Sequence, residues 1–234
     1  MYKKIGKRVI DFVFSLILLI ILFPVFIIIS VIIRTDSKGP AIFKQVRTGK
    51  NKKNFILYKF RSMRISNNFY NKKEKDKITK VGEVLRKTSL DELPQLINIL
   101  KGEMSFIGPR PWIIDYARHY NSEQRKRLDV LPGVTGLAQC SGRNNLSIFD
   151  RINIDIYYVD NLSLLLDIKI IFKTIKCILK REGFSNSKYA IHEEIKLLKN
   201  QHKKKKVVDE VNEEVEDIIK DEDFVENEIV GSEI

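Results

Sequence analysis

A chain of 234 residues leaves room for one domain of ordinary size with a real core, plus attachments. Its two cysteines, Cys140 and Cys177, lie far apart and outside any CxxC or Cys/His cluster, a pattern that suggests neither a disulfide framework nor a zinc site and reads as reduced thiols facing a cytosol. The net charge of +12 hides an asymmetry: residues 209–234 hold twelve acids against one lysine, a net −11, so residues 1–208 carry +23 and call for nucleic acid, anionic lipid or phosphorylated substrates.

The first element is FVFSLILLIILFPVFIIISVII, 22 residues from Phe12 to Ile33 without a charge and long enough to cross a bilayer core. Arg34-Thr35-Asp36 follows it where a cleaved signal peptide would have small residues. Lys3, Lys4, Lys7 and Arg8 precede the run and Arg34, Lys38, Lys44 and Arg47 follow it, so the positive-inside preference pulls both ends to one side. Pro24, at the midpoint, removes a backbone hydrogen bond and predicts a bend. These features suit a re-entrant, hairpin-like helix; a single kinked span is the alternative.

Next, SKGPAIFKQVRTGKNKKNFILYKFRSMR alternates apolar stretches with a Gly-Lys-Asn turn and predicts a pair of short strands, followed by a polar loop over 67–77. Val81, Val84 and Leu85 predict a short helix ending in Arg86-Lys87. A further helix is expected from near Asp91 to Lys101-Gly102, then a stiff SFIGPRP loop and an amphipathic helix over 112–130 closed by LPGVTG. Over 164–180 apolar residues recur at three and four beside Lys169, Lys173, Lys176 and Lys180, which suits either a helix on an anionic membrane face or a core helix with a lysine-rich solvent face. Residues 184–206 read as linker, and Val208, Val211, Val215, Ile218 and Ile219 outline an acidic amphipathic helix ordered only against a partner or the basic body.

The chemistry concentrates in KTSLDELPQL, residues 87–96. Ser89-Leu90-Asp91-Glu92 has the capping-box pattern, so the two acids can be a helix cap. Pro94 prevents the helix from beginning far upstream, which sets both carboxylates at the positive end of a helix, beside a place for a bound phosphate. With cations to quench an incoming phosphoryl group, Asp91 can act as a nucleophile. Lys59 and Arg61 in YKFRSM, Arg86, Arg110 between Pro109 and Pro111, and Arg143 in SGRNN supply those cations. His119, His192 and His202 form no catalytic or metal pattern, and no P-loop or GxGxxG is present. A nucleic-acid-binding membrane protein would explain the basic body but leaves Asp91-Glu92 and Arg110 unexplained. A non-catalytic membrane scaffold would be expected if one acid were missing, and both are intact.

KFRSM, LRKTSLDELPQLINILKGEMSFIGPRP and RLDVLPGVTGLAQCSGRN together resemble the bacterial sugar transferases, the monotopic phosphoglycosyl transferases that act on polyprenyl phosphate, over roughly residues 3–183. The resemblance implies a helix-rich α/β fold with a re-entrant membrane helix (1–36), a small catalytic domain with interfacial amphipathic helices (37–183), and a linker with an acidic tail (184–234) that it does not cover. It implies transfer of a sugar-1-phosphate from a UDP-sugar to undecaprenyl phosphate with release of UMP, as the initiating step of a surface glycan. Asp91 would be the covalent nucleophile and a magnesium ligand, Glu92 its assistant, Lys59, Arg86 and Arg110, with Arg143 beside them, the phosphate-site cations, and Asp155 of a D-x-x-Y stretch a further active-site acid. The implied setting is the cytoplasmic face of the inner membrane, with anionic lipid and downstream glycosyltransferases as partners and no nucleic acid. The 112–120 loop is where a choice of sugar is expected. One departure is visible: many members carry serine before the membrane proline, whereas this chain has Phe23-Pro24, so the helix break rests on Pro24 and its packing.

Overall fold

The computed structural model describes residues 2–64, 78–142, 146–179 and 191–201. The polar loop at 67–77, Arg143 and the acidic segment after 208 lie outside the described residues. The architecture is helix-rich α/β with two small sheets.

Helix α1 (Lys7–Asp36) is a single helix that runs on through Pro24 rather than two arms joined by a turn. At 30 residues it is about 45 Å long. One stripe is covered along its whole length. Asp11 and Ser15 are buried near its start, Leu18, Leu19 and Leu22 pack on Leu96, Ile99 and Met104, and Ile29 and Ile33 are buried against Ala41, Phe60 and Leu85. The other side stays bare, with Ile20, Ile21 and Phe23 all more than 60% exposed. The globular domain therefore grips both ends of the helix.

Polar contacts fix those ends. Arg8 donates to the Ile99 and Leu100 carbonyls at 2.6 and 2.9 Å, placing a cation at the C-terminal end of α3 (Gln95–Lys101), where the helix dipole favours it. Asp167 accepts from Tyr2, Lys7 and Tyr158, tying the N-terminus to the two C-terminal helices of the body.

Strands β1 (Ile42–Thr48) and β2 (Asn54–Phe60) form the expected antiparallel hairpin, in register from Ile42 opposite Phe60 to Thr48 opposite Asn54. Its turn places Asn51 and Lys52 in the left-handed region, with φ of 53° and 62°. The second edge of β2 is satisfied by a side chain. Asn98, fully buried on α3, accepts from the Tyr58 N–H at 3.1 Å and donates to the Ile56 carbonyl at 2.7 Å, as a peptide of a neighbouring strand would.

Helix α2 (Lys80–Lys87) forms where Val81, Val84 and Leu85 predict it, capped by Thr79. Strands β3 (Ser105–Ile107) and β4 (Gly133–Thr135) then pair in parallel, joining the SFIGPRP loop to LPGVTG. Gly108 and Gly133 let the two backbones meet: a Cβ on Gly133 would sit 2.1 Å from the Gly108 nitrogen.

The single helix expected over 112–130 is instead α4 (Ile114–Arg118), α5 (Ser122–Arg125) and a 3-10 turn (Lys126–Leu128). The chain breaks at 119–121 because Asn121 starts a new helix, its side chain and that of Gln124 forming a reciprocal capping box. Helices α6 (Leu137–Cys140), α7 (Ile148–Asp160) and α8 (Leu164–Leu179) follow. Residues 191–201, which the sequence reads as linker, are helical (α9), and Leu198 is wholly buried in the aromatic core of Trp112, Tyr116 and Tyr120.

Candidate active site

Asp91 and Glu92 do not open a regular helix. They occupy a 3-10 turn, Leu90–Glu92, and α3 begins only at Gln95 after Pro94, whose missing N–H suits that position. Nor is there a capping box: Ser89 makes no side-chain cap bond and adopts a left-handed backbone with φ of 57°. A non-glycine residue held there costs about 1–3 kcal/mol and is found where geometry is imposed for a purpose. Here it turns the chain from the end of α2 directly into the dyad.

Three elements converge on that turn. The end of β2 supplies Lys59, whose Nζ lies 2.5 Å from Glu92 Oε1 and 4.0 Å from Asp91 Oδ2. The loop after β3 supplies Arg110, bonded to the same Glu92 oxygen at 3.1 Å with its side chain still 46% exposed. Helix α2 supplies Arg86, whose Nε donates to Ser62 Oγ at 2.8 Å and whose charge acts on Asp91. The two acids are thereby differentiated. Burial opposes ionisation of Glu92, but Lys59 and Arg110 outweigh it and hold the carboxyl down at about 2. Burial pushes Asp91 up from the ordinary aspartate range, with Lys59 pulling against it and Glu92 adding to it. Glu92 is thus a fixed anion that gathers cations, and Asp91 is a buried, loosely compensated carboxylate beside them.

The Arg110 loop is held at three successive carbonyls. Arg127 donates to Arg110 O at 3.0 Å, Arg47 to Pro111 O at 3.3 Å, and the Thr48 N–H to Trp112 O at 3.1 Å. Two prolines and three tethers leave the guanidinium as the mobile part of this segment. Arg47 is pulled down to about 10 by burial and by the nearby Arg110 charge, so a second guanidinium stands close to the first.

Two sequence-predicted residues are not brought to the dyad. Arg61 is 5% exposed and donates to the Ser37 and Lys38 carbonyls, holding the extended segment that leaves α1. Asp155 is 2% exposed; its Oδ2 takes Arg127 Nε at 3.1 Å and NH2 at 2.6 Å, an ion pair closed off from the surface. Asp155 reaches the site only through Arg127 and the backbone of Arg110. Arg127 itself, stacked 3.9 Å from the Trp112 ring centroid, escapes sequence reasoning because nothing in RLDVLPG marks it off from a solvated arginine. Among the described residues there is no cluster of three or more His, Cys, Asp or Glu to hold a metal.

Residues 2–181 match the family model described as bacterial sugar transferase. The chain is 39% identical to an uncharacterized sugar transferase, EpsL, of Bacillus subtilis, over 80% of this chain and 94% of that protein. It is 42% identical to an undecaprenyl-phosphate galactose phosphotransferase of Salmonella typhimurium, over 76% of this chain and 41% of that protein. A UDP-glucose:undecaprenyl-phosphate glucose-1-phosphate transferase of Klebsiella pneumoniae is 41% identical over 74% of this chain and 40% of its own length. The match thus spans nearly all of EpsL and less than half of the two longer relatives.

Proposed function

The chain belongs to the bacterial sugar transferase family and is an enzyme of the phosphoglycosyl transferase class, and we propose that it moves a sugar-1-phosphate from a UDP-sugar to undecaprenyl phosphate through Asp91. The relatives whose names state donor and acceptor support the two substrates. The observation that carries the mechanism is the division of labour within one turn: Glu92 is neutralised by Lys59 and Arg110, while Asp91 is buried beside the same cations with its ion-pair partner Lys59 at 4.0 Å.

In the first step an Asp91 carboxylate oxygen attacks the phosphorus that bears the sugar. The bond from that phosphorus to the bridging oxygen breaks, and UMP leaves with the electron pair. In the second step an oxygen of undecaprenyl phosphate attacks the same phosphorus and Asp91 departs as carboxylate. Lys59, Arg86 and Arg110 supply positive charge to the non-bridging oxygens, the main requirement of phosphoryl transfer. Glu92, held ionised, is no proton donor at neutral pH; it keeps Lys59 and Arg110 at the site until a diphosphate competes for them.

The residues suit magnesium. Bound to phosphates, that ion takes one or two carboxylates and fills its remaining positions with phosphate oxygens and water. Asp91 is the carboxylate that would hold it, and when bound it neutralises charge on the diphosphate.

The course of α1 supports a membrane arrangement. A crossing helix would have lipid around its middle, whereas here one stripe from Asp11 to Ile33 is covered by the body. This supports a helix that enters one leaflet with the domain seated beside it. Helix α8 adds an exposed apolar face, with Leu165, Phe172 and Leu179 each at least 69% exposed and Lys169, Lys173 and Lys176 flanking it, which supports docking on anionic lipid. Access from the cytoplasmic side of the inner membrane, where nucleotide sugars and the lipid phosphate meet, belongs to the same reading.

The test is UMP release by purified protein from a panel of UDP-sugars with magnesium, with and without undecaprenyl phosphate. Mass spectrometry of the Asp91 peptide after donor alone should find it carrying one phosphosugar. Substantial turnover by Asp91→Asn would remove the covalent mechanism; that variant is expected to lose turnover and keep its membrane association.

A further inference from the structure

Past residue 181, where the family match ends, the described chain resumes as α9, and α9 docks on the aromatic cluster that follows Arg110. Glu194 is 3% exposed, its Oε2 accepts from the Tyr116 hydroxyl at 2.6 Å, and its Oε1 pairs with Arg151. A buried carboxylate persists only when paired, and both of its partners belong to other helices, Tyr116 to α4 and Arg151 to α7. The Arg151 guanidinium lies 5.4 Å from the centroid of Trp112, and the Tyr116 ring 5.0 Å from it. Trp112 stands two residues after Arg110, separated by Pro111, and its other cation, Arg127, holds the Arg110 carbonyl. The buried charge on α9 is therefore linked through two side chains and a ring to the phosphate-site arginine.

We infer that α9 is a clamp in cis on the donor-phosphate site, with Glu194 as a positioning residue: it touches no reacting atom and acts through Tyr116, Arg151 and Trp112 on the loop that carries Arg110. This rests on the reading of Arg110 as a ligand for the UDP-sugar diphosphate. The clamp lies beyond the residues that the family match covers.

Trp112 is the chain's single tryptophan, so its emission reports on the cluster directly. The experiment compares full-length wild type, Glu194→Ala and Glu194→Gln in three readouts: Trp112 emission, UDP affinity and the kinetics of UMP release. Glutamine keeps an acceptor for Tyr116 but loses the charge that pairs Arg151. Glu194→Ala is expected to shift the emission, weaken UDP binding and raise the donor KM by about fivefold or more, while kcat at saturating donor and the KM for undecaprenyl phosphate stay within about twofold. Glu194→Gln should fall between the two, and it decides the matter if the alanine variant does not fold. A shifted emission with unchanged UDP affinity and donor KM would reduce α9 to a stabilising helix and overturn the inference, as would wild-type values throughout. A wild type that binds UDP but releases no UMP, and loses UDP affinity on Glu194→Ala, would keep the clamp and refute the transferase reading. A wild type that binds no UDP would overturn both.

Discussion

Replacing Asp155 by asparagine separates two roles for that residue. The carboxylate is 2% exposed and so is Arg127, whose Nε and NH2 both converge on Asp155 Oδ2. The substitution conserves shape and removes the negative charge, leaving a buried guanidinium with the Tyr120 hydroxyl, the Arg110 carbonyl and the Trp112 ring as its remaining company. Breaking one side of a buried pair costs about 3–5 kcal/mol, and the lower figure is expected because those three contacts survive. For a chain of this size about 3 kcal/mol corresponds to a fall in melting temperature of roughly 6–12 °C. Thermal melts of wild type, Asp155→Asn and the double variant Asp155→Leu with Arg127→Met test this, since removing both charges together should recover most of the loss. Donor KM should rise with Asp155→Asn, because Arg127 holds the Arg110 loop. If Asp155→Asn melts with the wild type while UMP release collapses, Asp155 is an acid of the chemistry and the reasoning from burial is wrong.

Three further outcomes are expected. Glu92→Gln conserves shape but frees Lys59 and Arg110, and should lower turnover by about a hundredfold, the scale of a misplacement of about 1 Å; a wild-type rate would show that those cations need no anchor. Arg61→Met should lower stability by about 3 kcal/mol through the carbonyls of Ser37 and Lys38 left without a donor and leave donor KM unchanged, whereas a raised donor KM in a normally stable protein would return Arg61 to the phosphate site. With Cys140 and Cys177 replaced by serine, single cysteines at positions 4 and 38 should react with an impermeant reagent from the same side, and opposite-side labelling would restore the spanning helix.

What could be read in the sequence is what lies within a few residues of a proline, a glycine or another charge. Asp91-Glu92 before Pro94, Arg110 between prolines, the β1–β2 turn and α2 are all local patterns, and the structure keeps them. Their refinement was not legible: the dyad's 3-10 turn depends on Ser89 taking a left-handed backbone that its side chain does not demand. Long-range partners were beyond reach for a plain reason. Arg127 with Asp155, Asn98 with the edge of β2, and Glu194 with Tyr116 are joined by packing across 28 to 78 positions, and each residue alone looks like an ordinary polar surface residue. Arg61 shows the converse error. A cation inside a phosphate-site motif reads as a phosphate ligand, although its partners are the backbone carbonyls of Ser37 and Lys38 just past α1.

Three consecutive residues at the end of β2 serve alternating masters. Lys59 faces Glu92, Phe60 packs 5.3 Å from the Phe26 ring of α1, and Arg61 donates to the Ser37 and Lys38 carbonyls just past that helix. The placement of the Asp91-Glu92 turn relative to the long apolar helix α1 consequently depends on the pleat of one strand, an on-or-off coordinate with no intermediate values. A slip of the β1–β2 pairing by one residue would exchange the faces, turning Phe60 toward the carboxylates and Lys59 into the apolar stripe. A single-residue insertion or deletion in the tight turn from Gly49 to Lys53 that shifts this pairing by one should therefore abolish catalysis, whereas a two-residue change keeps the faces, even though the altered residues lie at the far end of the hairpin from Asp91.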